Sequence, residues 1–281
     1  MVTRHLSCFD PVKIARSGQA FRFQVIDQDH VELVAKGRYL QIARLSEDEF
    51  AFSATEEEFH TIWADYFDLD RDYQSLSKRI DKHDDYLKEA ERFGRGIRIL
   101  KQDVFETTIS YIISQRRSIP SITTSVERIS GLTGKVIKAP KLNKPFVRPL
   151  KEKYYAFPTP DELSRLTVED ITNTGVGYRA PYIAEAARGF TSGKLSEKAL
   201  YDLSDEDLYK ALTSMYGVGA KVANCIMLFA FARTNRFPID VWIQRILDRY
   251  YKGSFKTELY PDTAGIMQQF MFYYERNGQT D

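Results

Sequence analysis

The chain has 281 residues, of which 43% are hydrophobic and 13% aromatic, and a formal net charge of +1. That is enough apolar matter for a sizeable core in two or three subdomains, while the lack of any long uncharged apolar run excludes a membrane-spanning helix and the N-terminus Met1-Val-Thr-Arg-His carries no signal-peptide core. Only two cysteines, Cys8 and Cys225, exclude a four-cysteine iron–sulfur or zinc site and a disulfide framework, so a reducing, cytoplasmic setting is expected.

The near-zero net charge conceals a segregation. Residues 46 to 91 hold fifteen Asp or Glu against five Lys or Arg, a balance of −10 that leaves +11 for the rest of the chain. A molecule with one acidic side and one basic face can still meet a polyanion, because the local field outweighs the sum.

Residues 1 to 52 alternate in the manner of strands: Gln19 to Val25, Val31 to Ala35, Arg38 to Ile42 and Glu49 to Phe52, with turns at Asp27-Gln28-Asp29 and Lys36-Gly37. A small antiparallel sheet is expected. From Glu56 the period becomes helical, with Phe59, Ile62, Trp63, Tyr66 and Phe67 as a core-facing stripe. A helix capped by Asp103 then runs to Gln115 and into Arg116-Arg117-Ser118-Ile119-Pro120. Residues 135 to 153 carry seven basic side chains against the single Glu152, with three prolines. They read as an exposed basic loop, either tracking a nucleic-acid backbone or merely solvated. Helical pattern resumes at Pro160 to Leu163 and Thr167 to Ile171, followed by the turn Gly175-Val-Gly177-Tyr178-Arg179.

The chain is organised around Leu212-Thr-Ser-Met-Tyr-Gly217-Val218-Gly219-Ala-Lys221, where an amphipathic helix ending near Met215 turns into a second, apolar helix starting at Ala220. The two glycines allow positive φ and close approach of a bulky partner. Backbone N–H groups and the positive end of the second helix make a site for an anion such as a DNA phosphate. Lys221 sits at that helix N-terminus beside Val222, Cys225 and Ile226, where dipole and desolvation favour a neutral, nucleophilic amine; a lysine snorkelling to solvent is the plain alternative. Asp240, after Phe237-Pro238-Ile239 and before a periodic helix, reads as an N-cap. In the last helix Gln268 and Phe272 are four apart and share a face.

Helix, Gly-Val-Gly, Lys221, Cys225, Pro238 and Asp240 at this spacing resemble the helix-hairpin-helix, Gly-Pro-Asp superfamily of DNA glycosylases, and the Lys221 and Cys225 pair is similar to its 8-oxoguanine DNA glycosylase branch, from about Ser7 to Phe272. The resemblance implies an α+β fold, with an N-terminal antiparallel sheet subdomain and helical linker (1–100) packed on a mainly helical body (101–281) that contains the hairpin (about 205–233) and the Asp240 helix (240–251). It implies a DNA N-glycosylase and abasic-site lyase. Lys221 is then the nucleophile that attacks C1′ of an extruded 8-oxoguanine nucleotide and forms a Schiff base, and Asp240 stabilises charge on the sugar. No metal or other cofactor is required, although hairpin carbonyls in this superfamily can hold a monovalent ion. The expected partner is double-stranded DNA containing 8-oxoguanine, met by a monomer without a membrane.

In Ser17-Gly18-Gln19-Ala20-Phe21-Arg22 the resemblance makes the Gly18 carbonyl the acceptor for the N7 proton that 8-oxoguanine carries and guanine lacks. Gln268 and Phe272 would bind and stack on the flipped purine, with Cys225 on its other face. Gly217, Val218 and Gly219 would hold a phosphate, Tyr178 would wedge into the stack and Arg179 would contact the orphaned base. Four positions depart from the pattern: Arg116 and Arg117 stand where the family has gap-filling asparagines, Ser121 stands where an arginine reads the opposite cytosine, and Trp242 stands where a histidine often approaches a phosphate. Gap filling by the arginines is consistent with this; strict reading of the opposite base does not follow. A monofunctional alkylated-base glycosylase of the same fold and a non-catalytic DNA-damage binding module are the competing readings, against which Lys221 and the Lys221 with Asp240 pair respectively argue.

Overall fold

The computed structural model describes residues 1–278. Five strands, β1 (Val2–His5), β2 (Phe23–Val25), β3 (His30–Ala35), β4 (Arg38–Arg44) and β5 (Glu49–Phe52), form one antiparallel sheet in the order β1-β5-β4-β3-β2. The β3–β4 hairpin turns on two residues, Lys36 and Gly37, both at positive φ (51° and 70°), the geometry that matches strand twist. Its register places Leu33 opposite Leu40 and Val31 opposite Ile42, which sets a row of apolar side chains on one face.

Two elements were not expected from the sequence. β1 pairs with β5, and Pro11–Arg16 is a short helix whose first turn is capped by Asp10 accepting from Lys13 N at 3.0 Å. The expected strand from Gln19 shortens to Phe23–Val25: the Gln19 side chain donates to the Arg98 carbonyl and the Arg22 guanidinium to Glu127, and only at Arg22, whose carbonyl accepts from Val34 N at 3.1 Å, does the backbone join β3.

The stripe from Phe59 to Phe67 covers one face of the sheet, with Phe59, Trp63, Tyr66 and Phe67 buried and Phe9 meeting Phe50 edge-on at 5.1 Å. Such an aromatic cluster packs a thin sheet that cannot close on itself. The other face is covered by the basic stretch. Residues 135–153 do not stand free as a loop: Val136–Lys138 pairs with Lys153–Tyr155, Phe146 packs on Ala43 and Ala51, and Gln41 donates to the Val147 carbonyl at 3.1 Å. Beneath this strap the buried Glu32 accepts from Tyr154 Oη at 2.6 Å and Tyr39 Oη at 3.0 Å, which meets the cost of enclosing a carboxylate. The composition had hidden a docked segment, because its few apolar anchors are scattered among lysines.

The rest of the chain is a helical body. Its principal helices are α1 (Asp85–Gly94), α2 (Val104–Ser114), α3 (Ile119–Thr133), α4 (Ala180–Thr191), α5 (Asp205–Thr213), α6 (Ala220–Phe229), α7 (Val241–Tyr250) and α8 (Ala264–Asn277). They share one core in which Leu87, Ile109, Ile183, Leu212, Ile226 and Met267 are fully buried. Asp103 caps α2 as expected, accepting from Glu106 N at 2.9 Å. α1 lies against α8 so closely that a β-carbon on Gly94 would sit 2.8 Å from the Phe270 ring.

Sheet and helical body are joined by ions as well as by packing. Arg22, almost wholly buried, donates from Nε to Glu127 at 2.9 Å and lies 3.5 Å from Glu106, while Lys151 of the strap reaches Glu127 at 2.7 Å. Burial pushes the Glu106 carboxyl up to about 7, against the pull of Arg22 and with Asp103 and Glu127 adding to the rise. A carboxyl raised on folding binds its proton more tightly in the native state. Its contribution to stability is therefore full below the ordinary value of 4.5 and is lost as pH rises through about 7. Glu106→Gln is expected to flatten the fall in stability over that window, read by denaturant unfolding at a series of pH values; an unaltered slope would place the titration elsewhere.

Candidate active site

The hairpin is built by α5, the turn from Ser214 to Gly219, and α6. Ser204 caps α5, accepting from Asp207 N at 3.1 Å, and the buried Leu208 and Leu212 fix its inner face. Of the two turn glycines only Gly217 needs positive φ (82°), where a β-carbon would overlap the Tyr182 ring. Gly219 is extended, with φ −94° and ψ −179°, and stands as the N-cap of α6 with open space around it. Of the positive φ and the close approach that the two glycines allow, Gly217 uses the first in the turn and Gly219 serves the second by leaving the helix end unobstructed. Among the described residues no side chain caps α6, so its N-terminal N–H groups remain available to an anion. Gln115 Nε2 donates to the Gly217 carbonyl at 3.0 Å and ties the turn to the end of α2. Beside it runs a groove of about 720 Å³ bounded by Arg116, Tyr178, Tyr182, Tyr216 and Gly219.

Behind the hairpin lies a cavity of about 660 Å³ that brings together Gly18, Lys221, Cys225, Asp240, Gln268 and Phe272. Lys221 projects from the first turn of α6 with Nζ 5.1 Å from the centre of the Tyr111 ring, which is itself stacked on Phe229. Burial holds the Tyr111 phenol well above its ordinary value, so it stays neutral. Asp240 caps α7, as expected, through Oδ1 alone, which accepts from Trp242 N at 3.0 Å and Ile243 N at 2.9 Å. The carboxylate is fixed by the helix end while Oδ2 accepts no hydrogen bond among the described residues.

Cys225 lies one turn after Lys221 on the same helix face and is buried. Burial raises its thiol pKa, opposed by the nearby Lys221, so the side chain acts as a neutral apolar wall. Gln268, buried at 4% exposure, donates to the Pro238 carbonyl at 3.2 Å and accepts from Gln269 at 3.1 Å. Gly18 has φ 75°, and a β-carbon there would sit 3.1 Å from both Phe272 and Ile119. The first motif of the chain and its last helix are therefore in van der Waals contact.

The DNA-facing residues divide into two groups. Tyr178, 57% exposed with its ring edge-on to Tyr182, and Arg116, exposed at φ 54°, stand beside the cavity and groove. Arg117 is turned inward: its Nε donates to Ser121 Oγ at 2.9 Å and its Nη1 to Ser125 Oγ at 3.0 Å and the Gly175 carbonyl at 2.9 Å. Arg179, 6% exposed, donates to the carbonyls of Val176 and Gln115 and lies over the Tyr178 ring at 4.3 Å. Both guanidiniums thus brace backbone carbonyls of the two loops. Among the described residues Arg117 and Arg179, expected at the gap and at the orphaned base, are thus engaged with the protein itself, although Arg179 Nε is left without a partner.

Three residues of the site went unnoticed in the sequence. Tyr111 looks like one more apolar position of α2, and Tyr216 like a turn residue, although it is 56% exposed and meets Tyr182 edge-on at 4.5 Å. Arg276, one turn beyond Phe272 and so on its face, lines the cavity with its guanidinium 5.3 Å from the Phe272 ring. Its i, i+4 spacing from Phe272 was the available signal. Burial lowers its pKa, offset by the facing Asp240.

This arrangement, an amine at an uncapped hairpin helix and a carboxylate fixed at the next helix end, is that of the helix-hairpin-helix base-excision proteins. Residues 109–265 match the family model described as HhH-GPD superfamily base excision DNA repair protein, and residues 1–108 match that of the 8-oxoguanine DNA glycosylase N-terminal domain. A probable N-glycosylase/DNA lyase of Methanothermobacter thermautotrophicus is 30% identical over 239 residues, 75% of this chain and 71% of its own. A solved structure of MBOgg1 in complex with a low-affinity DNA ligand is 34% identical, covers 99% of this chain and 96% of that one, and superposes with a TM-score of 0.89. The Clostridium acetobutylicum 8-oxoguanine glycosylase/lyase, in complex with double-stranded DNA containing cytosine opposite 8-oxoguanine, is 32% identical over 98% of this chain and 94% of its own, with a TM-score of 0.87. The chain belongs to the 8-oxoguanine DNA glycosylase family of that superfamily.

The two hairpin glycines are expected to respond differently to alanine. Gly217→Ala places a β-carbon in the Tyr182 ring at positive φ and should lower stability by about 1–3 kcal/mol. Gly219→Ala, in open space but at an N-cap where alanine is poorer than glycine, should cost at most about 1 kcal/mol yet weaken DNA binding. Thermal unfolding and duplex titration read the two effects separately, and equal destabilisation by both would contradict the assignment.

Proposed function

We propose that the chain excises 8-oxoguanine from duplex DNA and cleaves the strand at the resulting abasic site, with Lys221 as nucleophile and Asp240 as electrostatic partner. The observation that carries this is the convergence of Lys221, Asp240, Cys225, Gln268, Phe272 and Gly18 on one cavity at the mouth of the hairpin. The volume, about 660 Å³, accommodates a purine nucleoside extruded from the stack.

In this reading the hairpin turn from Gly217 to Gly219 and the α6 N-terminus hold a phosphate of the lesion strand, and the duplex bends over Tyr178. The flipped base enters between the Cys225 thiol and the Phe272 ring, with the Gln268 amide at its Watson–Crick edge and the Gly18 carbonyl at N7. A guanine offers no proton there, and the carbonyl would be left facing a lone pair. The Lys221 amine nitrogen attacks C1′ as the N-glycosidic bond breaks, and the bonding pair leaves with the base. Asp240 Oδ2 faces the sugar as positive charge develops on it, and the fixed N-cap geometry means no reorganisation is needed. Loss of the amine proton and opening of the sugar ring give the Schiff base. Removal of a C2′ proton then expels the 3′ phosphate by β-elimination.

Arg116 fills the space vacated by the base. With Arg117 and Ser121 bonded to each other and Arg179 bonded to carbonyls, Arg116 is the guanidinium of these loops still free among the described residues, and filling the gap occupies it.

Borohydride trapping on duplexes with 8-oxoguanine opposite each of the four bases tests this. The wild type should trap with all four, with rates spread over less than about 10-fold, and Lys221→Gln should bind but lose roughly 10³-fold or more of strand cleavage. Base release without trapping would establish a monofunctional enzyme, and binding without release a non-catalytic binding protein.

A further inference from the structure

Resting on the reading of the cavity as an 8-oxoguanine site, we propose that Arg276 recognises the oxygen that the lesion carries at C8, making the last helix a second determinant of lesion specificity beside Gly18. Arg276 lines the same cavity as Lys221 and Asp240, and it makes no hydrogen bond or ion pair among the described residues. Its guanidinium is held against the Phe272 ring, 5.3 Å from the centroid. A β-carbon on Gly18 would lie 3.6 Å from Arg276 Nη1, so the guanidinium and the Gly18 backbone are neighbours on one wall. The Gly18 carbonyl likewise accepts no hydrogen bond among the described residues.

An unpartnered acceptor and an unpartnered donor side by side are complementary to one feature of the damaged base. 8-Oxoguanine presents N7–H and C8=O in adjacent positions, a lactam with a donor next to an acceptor. Guanine presents an N7 lone pair and a C8–H bond in the same places. A guanidinium by itself would favour guanine, whose N7 and O6 are the usual partners of arginine. Beside the Gly18 carbonyl that pairing is unfavourable, since it sets two acceptors against each other. With the lesion, Gly18 accepts from N7–H while Arg276 donates to O8. Arg276 is exposed in the free protein and loses water only when a base enters; with guanine bound both protein groups then lack their partners, so the pair discriminates by more than either group alone. Phe272 sets the position of the guanidinium as well as one wall of the base site, which couples the two functions in a single helix turn.

The test compares duplexes carrying 8-oxoguanine or a reduced abasic site, with wild type, Arg276→Ala and Arg276→Lys. Arg276→Ala is expected to lower kcat/KM on 8-oxoguanine by about 10- to 100-fold, with a loss of affinity for the abasic duplex at least about 5-fold smaller, and Arg276→Lys should recover part of the difference. Borohydride trapping of Arg276→Ala on a natural abasic site reports that the variant is folded. Equal losses on both duplexes would show that Arg276 holds a phosphate and overturn the assignment, as would no loss on 8-oxoguanine. A wild type that excises 8-oxoguanine normally while the variants are unaffected leaves the proposed function standing and removes only Arg276; a wild type that releases no 8-oxoguanine overturns both.

Discussion

The hydrogen bonding of Gln19 is the constraint on which the geometry of the cavity depends. Its side chain is fully buried, accepting from Leu100 N at 2.8 Å and donating to the Arg98 carbonyl at 2.8 Å and to Ser17 Oγ at 2.9 Å. Its own carbonyl accepts from Gln102 Nε2 at 2.8 Å and Tyr111 Oη at 3.3 Å. A buried amide with every group satisfied fixes the backbone on either side of it. Gly18 is thereby held against Phe272, and Tyr111, whose ring lies under Lys221, is held from the opposite end. The recognition wall and the nucleophile share one anchor at the junction between sheet and helical body.

Around that junction charge is used inward as much as outward. Arg22, Arg117 and Arg179 neutralise carboxylates or brace backbone carbonyls of loops that have no regular structure to satisfy them. The groups left free, Arg116, Arg276 and the α6 N-terminus, all border the cavity and the adjoining groove. A near-neutral molecule can thus meet DNA through a small set of donors whose field is not cancelled locally. The acidic segment bears on this as well: Asp65, Asp68 and Glu91 are engaged by Lys101, Arg71 and Arg95.

The two Gly-Val-Gly turns look alike as strings and differ as structures. Gly175 and Gly177 both have positive φ, which exposes Tyr178 and folds Arg179 back, whereas in the hairpin only Gly217 does and Gly219 opens the helix end. The physical difference lies in what packs beneath them. Tyr182 fills the space at Gly217, and the carbonyl of Gly175 is taken by Arg117.

The sequence by itself determined the elements whose signal is local. Hydrophobic period, cap residues and turn glycines marked the β3–β4 hairpin, the Phe59 to Phe67 stripe, the Asp103 and Asp240 caps and the hairpin helices, because each depends on neighbours within a few residues. Spacing also placed Lys221 and Cys225 on one face and Gln268 and Phe272 on another. Only the tertiary structure decided what those faces meet. β1 depends on β5, fifty residues away, and a strap of lysines is held by a handful of apolar and hydrogen-bonding anchors on the sheet. Whether an arginine reaches DNA or a carbonyl depends on partners that no local pattern specifies. The same holds for Arg276, whose place beside Gly18 exists only because the two ends of the described chain are brought together by packing.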